Sequence, residues 1–132
     1  MRIVKFRGKR KLNGKWVFGS YIAVGNDWCH IVPLGTEIED LQHEKIRVIT
    51  DTVCEFTGLK DKVNNDIYEC DIITDGEVNY EVKYVWSGFR ILKGRQYVDF
   101  IEDLKKMEVI GNIFDNPDLV NDLIVKDKNA LS

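Results

Sequence analysis

The residues whose types and spacing come nearest to chemistry are basic. Arg2, Lys5, Arg7, Lys9, Arg10, Lys11 and Lys15 stand within the first twenty positions with no acid among them, a local charge of +7. The other 112 residues hold twelve basic and twenty-two acidic side chains, so the remainder carries −10 and the whole chain −3. Cations at this density could neutralise phosphates. Phe6, Trp16 and Phe18 interleave with them and could stack on the bases of a single strand. The competing reading is a hairpin neutralised by the acidic remainder, with core aromatics beneath a solvated basic rim.

Other constellations fail on spacing. Asp61, Asn65, Asp66 and Glu69 offer hard oxygen ligands, but an EF-hand loop beginning at Asp61 would need a polar third residue, a sixth-position glycine and a twelfth-position glutamate. The chain has Val63, Asp66 and Ile72 there, and the stretch reads as a solvated turn. His30 and His43 lie thirteen apart on different expected elements, and neither has a nucleophile motif beside it. Cys29, Cys54 and Cys70 are odd in number and lack a C-x-x-C spacing, which argues against a disulfide framework and a zinc ribbon. They read as small reduced core residues. With no glycine-rich phosphate loop, the sequence designates no catalytic residue, metal site or cofactor, and an enzyme is not expected.

The elements that must position these residues read mainly as β. Arg2–Arg7 alternates, with Val4 and Phe6 on one face and Ile3, Lys5 and Arg7 on the other. Asn13-Gly14 predicts a type I′ hairpin turn, because that turn needs positive φ at both central residues. A second strand with Trp16, Phe18 and Tyr21 follows, expected to bulge at Gly19. Gly25-Asn26 offers another turn, and Trp28–Val32 a third strand stopped by Pro33. Thr36 and Glu39 form a capping box for a short helix over Glu37–His43. Arg47–Ile49 is a short strand.

The central stretch, Val53–Ile73, reads as a strand, a polar loop over Lys60–Asp66 and a second strand over Ile67–Ile73. Turns at Asp75-Gly76, Ser87-Gly88, Gly94 and Asp103 then separate strands at Glu77–Trp86, Phe89–Leu92, Gln96–Ile101 and Glu108–Phe114, a rhythm that predicts a small SH3-like barrel or curled meander. Tyr80, Val82, Tyr84 and Trp86 share one face, expected to be core. Asn116-Pro117 is a good helix start for two docked turns, and 126–132 reads as a frayed tail. The expectation is one domain over 1–132, with an N-terminal β region over about 1–52 and a barrel-like half over about 53–125. No apolar run is long enough to span a membrane and no signal peptide precedes the chain, so the expected location is the cytoplasm.

Three ordered blocks, FTGLKDK (56–62), IYECDII (67–73) and VIGNIFDNPDL (109–119), resemble the signature blocks of the YopX family, small phage and prophage proteins of Gram-positive bacteria. The opening KFRGKRKLNGKWVFGSYI (5–22) is similar to that family's N-terminal block, with weak matching only between Gly25 and Asp51. Two departures stand out. The family has glycine in a "YEGD" block where this chain has Cys70, and a loop like "KNGKEI" where it has Lys62, Val63, Asn64, Asn65, Asp66 and Ile67. If that glycine has positive φ, a cysteine there is strained. The resemblance implies a compact, mostly β phage or prophage accessory protein of unestablished biochemical role, with no catalytic residues to carry over.

Two function classes follow from the sequence. One is a non-catalytic binding or assembly module that contacts a phage or host protein; short hairpins with unpaired edges also point to a homo-oligomer. The other is a nucleic-acid-binding protein using Arg2, Lys5, Arg7, Lys9, Arg10, Lys11 and Lys15. The acidic remainder would repel a long polyanion, which favours the first.

Overall fold

The computed structural model describes residues 4–24, 28–37, 45–98 and 101–120. Arg2, the Gly25-Asn26 turn, the helix expected over Glu37–His43 and the tail beyond Val120 fall outside them, apart from Glu37 itself. The described chain is mainly β, with strands in two antiparallel sheets, no closed barrel, and one helix that begins at 118–120. It divides into two compact units, Met1–Phe56 and Thr57–Ser132.

In the first unit, β1 (Phe6–Lys9), β2 (Trp16–Val24), β3 (Trp28–Pro33) and β4 (Ile46–Val48) pair in succession, and the other edge of β1 pairs with the start of β5 (Cys54–Lys60). The expected alternation holds from Phe6 onward, but β1 begins at Phe6 and Val4, expected on the same buried face, is exposed. Phe6 packs with Val17 and Val53 against Cys29, Ile31 and Val48, while Lys5, Arg7 and Lys9 occupy the opposite face. Two local expectations are corrected. Gly14 has a φ of 71° but Asn13 has no positive φ, and the Arg10 amide donates to the Lys15 carbonyl at 2.8 Å, so the loop is longer than a type I′ turn. At Gly19 the register runs through without a bulge; the glycine is required because a Cβ there would sit 1.9 Å from the Val32 oxygen on β3. The sheet also curls. Beyond β1, Arg10 bridges Val48, the Lys11 amide donates to the Arg47 carbonyl at 3.1 Å, and the Ile49 amide donates to the Lys9 carbonyl at 2.8 Å.

In the second unit the later part of β5 neighbours β6 (Asp66–Tyr68). The strand expected over Ile67–Ile73 is broken: Glu69 and Cys70 turn the chain, and β7 (Asp71–Thr74) belongs to another sheet. That sheet continues through β8 (Asn79–Val85), β9 (Gly88–Lys93) and β10 (Gln96–Val98), and β11 (Glu108–Asn112) returns beside β7. Ile67, Ile73, Val82, Ile91, Leu104 and Met107 form its core, Leu104 being delivered by a 3₁₀ segment, Ile101–Lys106. Tyr80 and Val82 face this core as expected, but Tyr84 and Trp86 are 49% and 69% exposed.

Polar clasps hold the turns. Asp61, expected in a solvated turn, is buried, and its carboxylate accepts the amides of Val63 (3.0 Å), Asn65 (2.8 Å) and Val109 (2.9 Å) and the Asn65 side-chain amide (3.3 Å). Burial pushes this carboxyl upward, and the hydrogen bonds from Val109, Asn65 and Val63 together outweigh it, holding Asp61 below the usual carboxylate range. At the corner between β6 and β7 the buried Asp71 carboxylate accepts the Tyr68 amide at 2.7 Å. Cys70 stands in this corner with a φ of 70°, its amide donating to Val82 (2.7 Å) and its carbonyl accepting from Ile113 (3.0 Å). After β11 the Asn112 side-chain oxygen accepts the Phe114 and Asp115 amides at 3.0 and 2.9 Å.

Candidate functional site

The seven sequence-designated bases do not act as one set. The Lys5 ammonium lies 4.4 Å from the centre of the Phe56 ring, and the Arg7 guanidinium and Lys9 ammonium lie 4.7 and 5.5 Å from that of Trp16. These cations cover the aromatic faces that would have stacked on bases. Lys15 is exposed beside the turn, and its amide is held by the Asn13 side chain at 3.0 Å. Arg2 lies outside the described residues. Arg10 and Lys11 go elsewhere.

They meet Lys45 and Arg47 in a groove of about 610 Å³, lined among the described residues by Arg10, Lys11, Leu12, Lys45, Ile46 and Arg47. An adjoining lobe of about 430 Å³ shares Lys11 and Arg47 and adds Val48, Ile49, Thr50 and Asp51. The curl of the first sheet builds this place. Because Arg10 bridges Val48, Lys11 stands opposite Arg47, and on the other side of β4 Arg47 pairs with His30 of β3. Directly opposed residues share a face, so Lys11, Arg47 and His30 form a row of side chains across three adjacent segments. His30 registers the field. Its imidazole is pushed below the ordinary histidine value, first by burial and then by the charges of Lys45 and Arg47. The Arg10 Nε is buried with no hydrogen-bond partner among the described residues. The sequence reading missed Lys45 and Arg47, although their alternation about Ile46 placed both on one side of a strand.

A second feature is the β8–β9 hairpin tip. Val85 pairs with Gly88, and the two residues between them, Trp86 and Ser87, have φ of 51° and 61°. Positive φ at both centres is the type I′ signature, here built without glycine. Trp86 packs edge-on to Tyr97 with ring centres 4.8 Å apart, and Tyr84 packs on Phe89 at 5.1 Å. Arg90 lies 5.4 Å from the centre of the Trp86 ring, and its guanidinium donates to the carbonyls of Val85, Trp86 (3.3 Å) and Gly88 (3.4 Å). Arg90 therefore braces the turn that displays Trp86.

The remaining candidates are placed apart. Cys29 and Cys54 are buried, the Cys29 sulfur lies 3.3 Å from the Tyr21 hydroxyl, and none of the three cysteines is in a disulfide. Asp61 faces amide donors, and Asp66 lies 3.7 Å from Lys60. Among the described residues no group of three or more His, Cys, Asp or Glu side chains could hold a metal ion, and no helix is long and apolar enough to cross a membrane. His43 is outside the described residues.

A family model described as "YopX protein" matches residues 5–121. The chain belongs to the YopX family. Among solved structures it is similar to the crystal structure of protein EF1440 from Enterococcus faecalis, with a TM-score of 0.58 and 19% identity over 91% of this chain and 99% of that one. That likeness concerns the fold. No curated protein matches. Membership in YopX gives the clasps a meaning. The blocks FTGLKDK, IYECDII and VIGNIFDNPDL carry Asp61, Asp71 and Asn112, which all bind turns, and both glycine departures fall on left-handed residues, Asn64 (φ 73°) and Cys70 (φ 70°). These three blocks thus hold turns of the fold; the hairpin tip lies outside them, whereas Arg10, Lys11 and Leu12 of the groove fall in the opening block 5–22.

Proposed function

We propose that this YopX protein is a non-catalytic binding or assembly module, a phage or prophage accessory protein that works in the host cytoplasm by contacting a phage or host protein or a second copy of itself. The observation that carries this reading is the hairpin tip. Trp86 is 69% exposed on a turn whose left-handed backbone is costly for a bulky residue, about 1–3 kcal/mol per position. Strain kept at an exposed aromatic flanked by Tyr84, Arg90 and Tyr97 suits a contact surface, since Trp, Tyr and Arg dominate the energetic centres of protein interfaces. The test is affinity capture from infected host cells with the wild-type chain and a Tyr84→Ser, Trp86→Gly variant. A protein retained by the first and lost by the second, at unchanged folded content, supports the reading; equal capture by both defeats it.

Nucleic-acid binding remains a second reading because Arg10, Lys11, Lys45 and Arg47 gather in one groove. Fluorescence anisotropy with labelled single- and double-stranded oligonucleotides at two salt concentrations separates the two. Tight binding that weakens steeply with salt and disappears in a folded Lys11→Glu, Lys45→Glu, Arg47→Glu variant would promote it.

A further inference from the structure

We infer that the outer edge of β10 takes an extended acidic segment of a partner protein as an added strand, with an apolar side chain of that segment lying beside Tyr97 and Trp86. This deepens the reading of the hairpin tip as a contact surface and rests on it.

The register leaves the edge open. Among the described residues β10 has a single strand neighbour, β9, and its Gln96, Tyr97 and Val98 stand opposite Lys93, Leu92 and Ile91. Only Gly94 and Arg95 join the two strands, and Gly94 has a φ of 60°, the glycine-first form of a two-residue type II′ turn. The residues flanking such a turn are a hydrogen-bonded pair, and the next pair along is not. The N–H and C=O of Tyr97 therefore point away from β9, and none of the turn and loop bonds among the described residues engages them. An unpaired edge of this kind is a template for another chain.

The side chains around the edge specify the segment. Tyr97 stands opposite Leu92, on the sheet face away from Ile91, which is in the core. Trp86 reaches this outer face from the hairpin turn and meets the Tyr97 ring edge-on at 4.8 Å. A strand added beside Tyr97 has this rigid aromatic pair at its flank, a large contact area at low entropic cost. At the other end of the edge the turn exposes Lys93 and Arg95. From Val82 to Val98 the chain has four cations, Lys83, Arg90, Lys93 and Arg95, and no acid. Lys83 lies 3.9 Å from Glu81 and Arg90 braces the turn carbonyls, so Lys93 and Arg95 are the cations that face a newcomer. Two copies of this basic stretch repel, whereas an acidic segment complements it. Alternate residues of a strand share a face, so the segment carries an acid two places from an apolar residue.

The test is selection of short random peptides, displayed on yeast, against the full chain, followed by fluorescence anisotropy and amide hydrogen exchange with the synthesised consensus peptide. Enriched sequences should carry an acid two places from an aromatic or branched apolar residue. Binding should weaken about fivefold in Arg95→Glu and about tenfold or more in Trp86→Gly, and stay unchanged in Lys15→Glu. The Tyr97 amide should exchange freely in the chain alone and become protected with the peptide bound, a readout that does not depend on a variant folding. Enrichment of basic or uncharged sequences, or no enrichment, overturns the proposal, and so does a bound peptide that leaves the Tyr97 amide unprotected. Protection of Tyr97 on concentrating the chain alone would assign the edge to a second copy and overturn the acidic partner. A protein captured from infected cells through Trp86 while Tyr97 still exchanges freely keeps the contact reading and removes only the added strand; loss of both capture and protection removes both.

Discussion

Replacing Cys70 by glycine should make the protein more stable than replacing it by alanine. At an ordinary strand position the order is the reverse, because glycine adds freedom to the unfolded chain. Cys70 holds a φ of 70° and cannot relax, since its amide is bonded to Val82 at 2.7 Å and its carbonyl to Ile113 at 3.0 Å. A residue with a Cβ in the left-handed region costs about 1–2 kcal/mol, and glycine's extra unfolded freedom costs about 0.4–1 kcal/mol. The difference favours glycine over alanine by about 0.5–1 kcal/mol, or about 2–4 °C in melting temperature at this chain length. Comparing glycine with alanine removes the thiol from both variants, so the lost sulfur contacts cancel. The assay is urea unfolding followed by circular dichroism, read from the midpoint at constant slope. An alanine variant as stable as the glycine variant, or more so, would refute the strain at Cys70 and with it the account of the family's glycine.

Asp61→Asn should lose about 1.5–3 kcal/mol, because an amide cannot accept all the donors that the carboxylate satisfies. The native carboxyl titrates below the unfolded one, so its contribution is complete above the unfolded value, about pH 3.9, and is lost as pH falls through the native value; wild-type urea midpoints should drop there more steeply than those of the variant, and parallel curves would contradict the clasp. Gly19→Ala should cost about 1–3 kcal/mol or more, because its Cβ would sit 1.9 Å from the Val32 oxygen and push β2 from β3; a thermal melt equal to wild type would show that the strands do not approach as described.

Much of the fold was legible where a physical pattern was local. Alternation in β1 put Phe6 in the core and Lys5 and Arg7 opposite, and Pro33 ended β3. It failed where long-range bonds decided. The apolar run Ile67–Ile73 has strand composition throughout, but Asp71 capturing the Tyr68 amide turns it into a corner between two strands. Asn13-Gly14 had the residues of a type I′ turn, yet the bonds tying Lys9 and Lys11 to β4 go with a longer loop. The type I′ signature appeared instead at Trp86-Ser87, which composition gives no reason to choose. Lys45 and Arg47 reach Arg10 and Lys11 only because the sheet curls, about thirty-five residues apart in the chain, and no local period reports that. The same bonds engage the outer edge of β4, and Asp61 and Lys62 engage backbone amide and carbonyl groups flanking β11, which narrows the open edges on which self-association would depend.

The central claim, that this YopX protein acts through protein contacts made at the β8–β9 hairpin tip, is tested most directly by placing a photo-crosslinking amino acid at position 84, beside Trp86, and irradiating infected host cells. The account predicts one dominant crosslinked protein species, either a partner or a second copy of this chain, which is absent when the same group is placed at Lys15. Crosslinks to nucleic acid, or no discrete species from position 84, would contradict it.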